Sequence, residues 1–142
     1  MNREEIYQKI VESADRFGAG NPQQFKLFGS QLAKCSHEEI FWALIAVFTS
    51  AHPAEKLFQR QELAGRLLAK MKPSYRFALE STIRNTLPNY NLSIEQLPKH
   101  FVAIYGLPTV IAALQKIETE SLPDRDLASL RTMRWWLTGA KE

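Results

Sequence analysis

The chain has 142 residues, a length that suits one domain with its own core. Apolar residues make up 45% of it, which excludes a disordered chain, and the formal net charge of +3 with a pI of about 9.1 is only mildly basic. A single cysteine, Cys35, excludes an internal disulfide and fits a reducing compartment.

The N-terminus, Met1 to Glu5, carries acids where a secretion signal needs a basic start and an apolar run. A first helix is expected after Asn2, with Glu5 at the third position and Ile6, Ile10, Ala14 and Phe17 on its inner face. Gly18 to Gly20 ends it. Asn21-Pro22 then supplies a cap and a first-turn proline, and Phe25, Phe28 and Leu32 follow at helical spacing. Ser36 with Glu39 has capping-box spacing and opens the third helix, from about His37 to Ser50. This helix contains nine consecutive apolar residues, Ile40 to Phe48. The run is too short to cross a bilayer and too continuous for a surface helix, so it reads as a central helix buried on most sides.

His52-Pro53 breaks that helix. A fourth is expected from about Pro53 to Met71 with Leu57, Ala64, Leu67, Leu68 and Met71 turned inward. A fifth is expected from Pro73 to about Thr86, with Tyr75, Leu79 and Ile83 on one side and Phe77 pointing away from them towards Arg84. Ser93, with Gln96 in the box position, is expected to cap a sixth element that Pro98 kinks or divides and Gly106 ends. Pro108 opens a seventh helix carrying Val110, Ile111, Leu114 and Ile117. Pro123 opens the last, with Asp124 and Asp126 in its first turn, where the helix dipole favours acids, and Gly139 closes it.

The expectation is one all-α domain over 1–142 with about eight helices. Helix-pair starts at Ser36, Pro73 and Pro108 recur at near-constant spacing, as in a short solenoid-like stack of helical hairpins. The three units do not match one another in sequence, so an irregular orthogonal bundle stands as the alternative.

No constellation of residues announces a reaction. Cys35, His37, His52 and His100 supply too few convergent ligands for a metal site, and no His-Glu-x-x-His or Cys-x-x-Cys occurs. Cys35 reads as a small structural thiol, because His37 is only two residues away and poorly placed as its base. The carboxylate pairs Glu4/Glu5, Glu38/Glu39 and Asp124/Asp126 sit in predicted first turns, where capping explains them. Gly18 to Gly20 follows a helix, not a strand, and fails the context of a dinucleotide loop. No metal, cofactor or catalytic residue is expected.

Two surfaces carry the binding expectation. Between 56 and 84 lie seven bases, Lys56, Arg60, Arg66, Lys70, Lys72, Arg76 and Arg84, against two acids, Glu62 and Glu80. Such a surface suits an acidic protein patch or a phosphate backbone, or is an ordinary solvated face. In the last helix, Leu127, Leu130, Met133 and Leu137 form an inner stripe with Trp136 at its margin, which turns Trp135 outward. Arg131, one turn earlier, is placed to stack on the Trp135 indole. Tryptophan and arginine are enriched at interface hot spots, so Trp135, Arg131, Phe77 and Arg84 are the expected partner-binding residues.

The function expected is therefore a non-enzymatic protein-binding module in the cytoplasm, with no membrane contact. It would act as an adaptor, or as an inhibitor of the bacterial immunity-protein or antitoxin kind that occludes a partner presenting an acidic patch. The alternative is a nucleic-acid-binding helical domain using the basic 56–84 surface. An enzyme assembled around Cys35 or the histidines is the third possibility.

Overall fold

A computed structural model describes residues 1–139. Among these residues there are eight α-helices and no strand: α1 (Arg3–Phe17), α2 (Pro22–Leu32), α3 (His37–Thr49), α4 (Ala54–Met71), α5 (Leu79–Thr86), α6 (Gln96–Tyr105), α7 (Leu107–Glu118) and α8 (Asp124–Thr138). A short 3-10 turn, Leu87–Asn89, follows α5. The fold is all-α, as expected.

Side-chain caps fix three of the helix starts. Asn2 closes a capping box with Glu5, and Asn21 accepts from the Gln24 N–H ahead of Pro22. Ser36 accepts from the Glu39 N–H at 3.2 Å. The reciprocal half of that box is diverted, because the Glu39 carboxylate instead takes the Arg3 N–H at 2.9 Å and its guanidinium at 2.8 Å. The diverted acid ties the start of α1 to the start of α3.

The eight helices form two layers. In one, α1, α3, α5 and α7 each pack on the next; in the other, α2, α4, α6 and α8 do the same. Cross-layer packing of α1 and α3 on α4, and of α6 and α8 on α7, closes the core between them. This ladder of every-second-helix contacts makes a compact two-layer bundle, in which α3–α4 and α7–α8 pack as pairs while α1–α2 and α5–α6 make little direct contact. One apolar cluster runs through the whole bundle, from Ile6 and Ile10 through Phe41, Leu44 and Leu67 to Leu114 and Met133. Full burial of side chains of this size contributes roughly 1.5–3 kcal/mol each.

Five expectations are corrected. The fifth helix does not begin at Pro73. Residues 73–78 are extended, and α5 occupies only Leu79–Thr86. Lys72 ends α4 in the left-handed region (φ 45), which redirects the chain before the proline. In extended backbone, residues two apart share a face, so Phe77 turns inward with Pro73 and half-buried Tyr75. Ser93 does not cap α6; its N–H and hydroxyl both bond Asn91 Oδ1, at 3.0 and 2.6 Å, and α6 starts at Gln96. Pro98 then falls in the first turn, where it breaks no hydrogen bond and makes no kink. Phe17, expected on the inner face of α1, is 41% exposed in its last turn.

No single helix among the described residues is long and apolar enough to cross a membrane. The apolar pair α6 and α7 is bent by 118° at Gly106 (φ 86).

Candidate functional site

The layer of α1, α3, α5 and α7 presents three adjoining grooves. The first, about 300 Å³, lies between α1 and α3 and is lined by Arg3, Glu4, Tyr7, Gln8, Trp42, Ala46 and Ser50. The second, about 340 Å³, lies between α3 and α5 and shares Trp42 and Ala46 with the first, adding Thr49, Ser81 and Asn85. The third, about 880 Å³, runs between α5 and α7. It shares Ser81 with the second and is walled by Leu79, Pro108, Thr109 and Ala112, with Phe77 and Tyr105 also lining it. Ala46 and Thr49 on α3, Ser81 on α5 and Thr109 and Ala112 on α7 are small side chains that leave these grooves open beside Trp42.

Trp42 stands at the junction of the first two grooves. It is half-buried, packed edge-on against Phe41 (5.1 Å between centroids, 74°) and Tyr75 (5.8 Å, 62°), with the Arg3 guanidinium 5.9 Å from its ring centroid. A ring held this way loses little freedom on meeting a partner, which favours binding. Behind it Phe41 stacks on Phe77 at 4.4 Å and 11°, so the grooves rest on a rigid aromatic wall.

Most of the charges around this face are paired with one another. Arg3 bonds Glu39 at 2.8 Å, which holds that carboxyl below the ordinary carboxylate range. Glu80 meets Lys116 at 3.1 Å and Arg84 at 3.4 Å. Arg84 also meets Glu120 at 2.6 Å, which lowers the Glu120 pKa and raises that of Arg84. The face therefore has small residues in its grooves, apolar in the first and third and mixed in the second. Its charge is balanced at the α5–α7 end, with an acidic excess at the α1–α3 end, where Arg3 faces Glu38 and Glu39 and Glu4 lines the groove.

The residues expected to bind a partner are dispersed. Trp135 is 43% exposed on α8, edge-on to Trp136 at 4.7 Å, and Trp136 donates to the Leu92 carbonyl at 2.9 Å. Arg131 does not stack on Trp135; its Nε lies 3.4 Å from Glu118, an acid that Arg134 also holds at 2.6 Å. Both Trp135 and Arg131 belong to the opposite layer and line none of the three grooves. Phe77 is 3% exposed and belongs to the core, so it is no surface anchor. Arg84 is engaged by Glu80 and Glu120 between α5 and α7.

The bases between 56 and 84 do not make one free surface. Arg60 grips Asp15 through two bonds of 2.9 and 2.7 Å and donates to His52 Nδ1 at 2.8 Å, and Lys56 adds a 3.6 Å contact to the same acid. Arg66 donates to the Ala19 carbonyl at 2.7 Å and lies over Phe25, as does Lys70. Arg76 lies over Tyr105, 4.6 Å from its centroid. Lys72 is the exposed end of α4.

No family model, curated protein or solved structure matches this chain. Its chemistry is read from its own residues.

His37 Nδ1 accepts the Ser74 N–H at 2.8 Å and lies 3.0 Å from the Ser74 hydroxyl. Among the described residues no carboxylate hydrogen-bonds His37. The contact clamps the start of the extended segment, and an orienting acid of the kind a nucleophilic triad needs is missing from it. Cys35 is half-buried, with its thiol 3.6 Å from the Gln31 carbonyl. No three His, Cys, Asp or Glu side chains converge among the described residues.

Trp42 is the site residue that the pattern of the chain conceals. It sits inside the nine-residue apolar run, yet Glu39, Trp42, Ala46, Thr49 and Ser50 form a half-buried line along α3. The polar residues bracketing that line at helical spacing are the signal that marks its outward side.

Proposed function

We propose that the protein is a binding module whose α1–α3–α5–α7 face takes an apolar, weakly charged segment of a partner polypeptide. The observation that carries this reading is the continuity of the three grooves through Trp42, Ala46 and Ser81. Grooves between parallel elements suit an amphipathic helix or an extended strand, with side-chain anchors entering successive slots. Balanced charge at the α5–α7 end and the acidic excess at the α1–α3 end favour a neutral segment over the acidic patch that composition suggests. An adaptor, or a cytoplasmic inhibitor of the immunity-protein or antitoxin kind, is the use of such a face that fits this reading.

The nucleic-acid alternative has less support. Lys56, Arg60, Arg66, Lys70, Arg76 and Arg84 each already contact a carboxylate, a carbonyl or an aromatic ring of the same chain. Freeing them for phosphate would break contacts within the fold.

Selection from a displayed library of random peptides tests the proposal. The expected result is enrichment of peptides with aromatic or aliphatic anchors and little net charge, whose binding is lost on Ala46→Arg. Enrichment that Ala46→Arg leaves unchanged, or no enrichment, overturns it.

A further inference from the structure

A separate cavity of about 400 Å³ opens in the other layer, between the last turns of α4 and the first turns of α6. Leu68, Ala69 and Ala103 give it an apolar lining. Two residues one turn apart on α6, Gln96 and His100, also line it, and each contributes a buried atom without a hydrogen-bond partner: Gln96 Oε1 and His100 Nε2. His100 is 5% exposed. Its ring lies nearly parallel to Phe77 (6.3 Å, 20°) and Phe41 (5.9 Å, 30°), so it separates the cavity from the aromatic wall. Buried polar atoms are almost always paired, and two unpaired atoms beside one cavity mark a place where a hydrogen-bonding molecule belongs. The backbone is shaped around them. Gly65 of α4 lacks the Cβ that would come within 3.1 Å of Gln96 Oε1 and 2.9 Å of Ile94 Cγ2.

We propose that this cavity binds a small planar molecule with an amide-like edge, an N–H donor beside an acceptor, of the size of a nucleobase or nicotinamide. Gln96 Oε1 and His100 Nε2 have almost no accessible surface as the side chains stand, so binding turns the Gln96 amide and the His100 ring towards the cavity. There the Gln96 carbonyl takes the donor and the imidazole completes the pairing through Nε2. Leu68, Ala69 and Ala103 pack the flat apolar body, the rim charges Glu95 and Lys99 pair with each other at 3.0 Å, and the third rim charge, Lys72, is exposed to solvent. Burial keeps the imidazole uncharged at neutral pH, with its pKa pushed down to about 4, and an uncharged ring suits a neutral edge.

The test is a titration of the isotopically labelled protein with uracil and nicotinamide, followed by NMR at the Gln96 side-chain amide and the His100 ring. Benzene, which fits the cavity but carries no donor or acceptor, is the control. The expected result is saturable shifts at both residues with at least one of the two probes and none with benzene. Affinity should fall about tenfold or more in Gln96→Leu and in His100→Phe, because the edge then meets carbon. His100→Phe alters a buried ring, so Ala103→Phe, at an exposed position of the cavity wall, serves as the second variant and should block binding while the fold persists. Absence of saturable shifts up to about 10 mM, equal response to benzene, or binding that survives Ala103→Phe overturns the proposal and leaves the two atoms to ordered water.

Discussion

The neighbouring helices α3 and α4 are opposite in kind. α3 is apolar over nine residues, yet its outward line of Trp42, Ala46, Thr49 and Ser50 is open and uncharged. α4 carries Lys56, Arg60, Arg66 and Lys70, yet the first two reach Asp15 of α1 and the other two lie down on Phe25 of α2, Arg66 also bonding the Ala19 carbonyl between α1 and α2. The difference teaches that charge in a stretch of sequence is no measure of charge offered to a partner. Long cationic side chains fold back onto any acid, carbonyl or ring within reach, whereas an indole wedged among other rings has nowhere to go.

The sharpest break of this comparison comes at two adjacent residues. Phe41 is fully buried, and Phe41→Ala should destabilise the fold by about 3–5 kcal/mol in denaturant unfolding. Trp42→Ala, half-buried and outward, should lose only about 1–2 kcal/mol. Equal losses would make Trp42 a core residue and empty the grooved face of its anchor.

The next largest effect concerns pH. The buried His100 has its pKa lowered from 6.5 to about 4, so the unfolded chain binds this proton more readily than the folded one between those values. Its contribution to stability is whole above pH 6.5 and declines as pH falls towards 4, by up to about 3 kcal/mol. Equilibrium unfolding across that window should show a decline that Gln96→Leu preserves and His100→Phe flattens. A decline unchanged in His100→Phe would assign it to other groups.

Smaller still is the effect of releasing the α4 cations. Asp15→Ala should destabilise by about 1–2 kcal/mol, because Arg60 loses both of its carboxylate bonds. It should leave binding to a DNA duplex unchanged at moderate salt. Tight, salt-sensitive duplex binding gained in this variant would move the working surface from α3 to α4. The least effect is expected at Gly29, within α2. A Cβ there would come 2.4 Å from Lys70 Cε, a flexible end that can swing away, so Gly29→Ala should stabilise the helix by about 0.5–1 kcal/mol in thermal unfolding.

Local signals in the chain located most of the helices. Asn2, Asn21 and Ser36 cap as their spacing indicates, and Pro53, Gly106 and Gly139 mark true boundaries. The near-constant spacing of Ser36, Pro73 and Pro108 is not kept by the helices, because α3, α5 and α7 begin at His37, Leu79 and Leu107. Pro73 misled because a proline that opens a helix and one that opens an extended segment look alike, and a period of two rather than 3.6 reverses the direction of Phe77. The site was less legible. Arg60 meets an acid 45 positions earlier and Arg84 one 36 positions later, separations that no local pattern records. Trp42 was hidden because an all-apolar run shows no polar side until the layers define one.

The most direct test uses a peptide obtained by display selection and measures its affinity for the wild-type protein, Trp42→Ala and Trp135→Ala by calorimetry. If the grooved face holds the partner segment, Trp42→Ala weakens binding by about 2 kcal/mol or more, and Trp135→Ala leaves it within a few tenths. Loss of binding in Trp135→Ala with full affinity retained in Trp42→Ala would place the partner on α8 and contradict the grooved-face assignment.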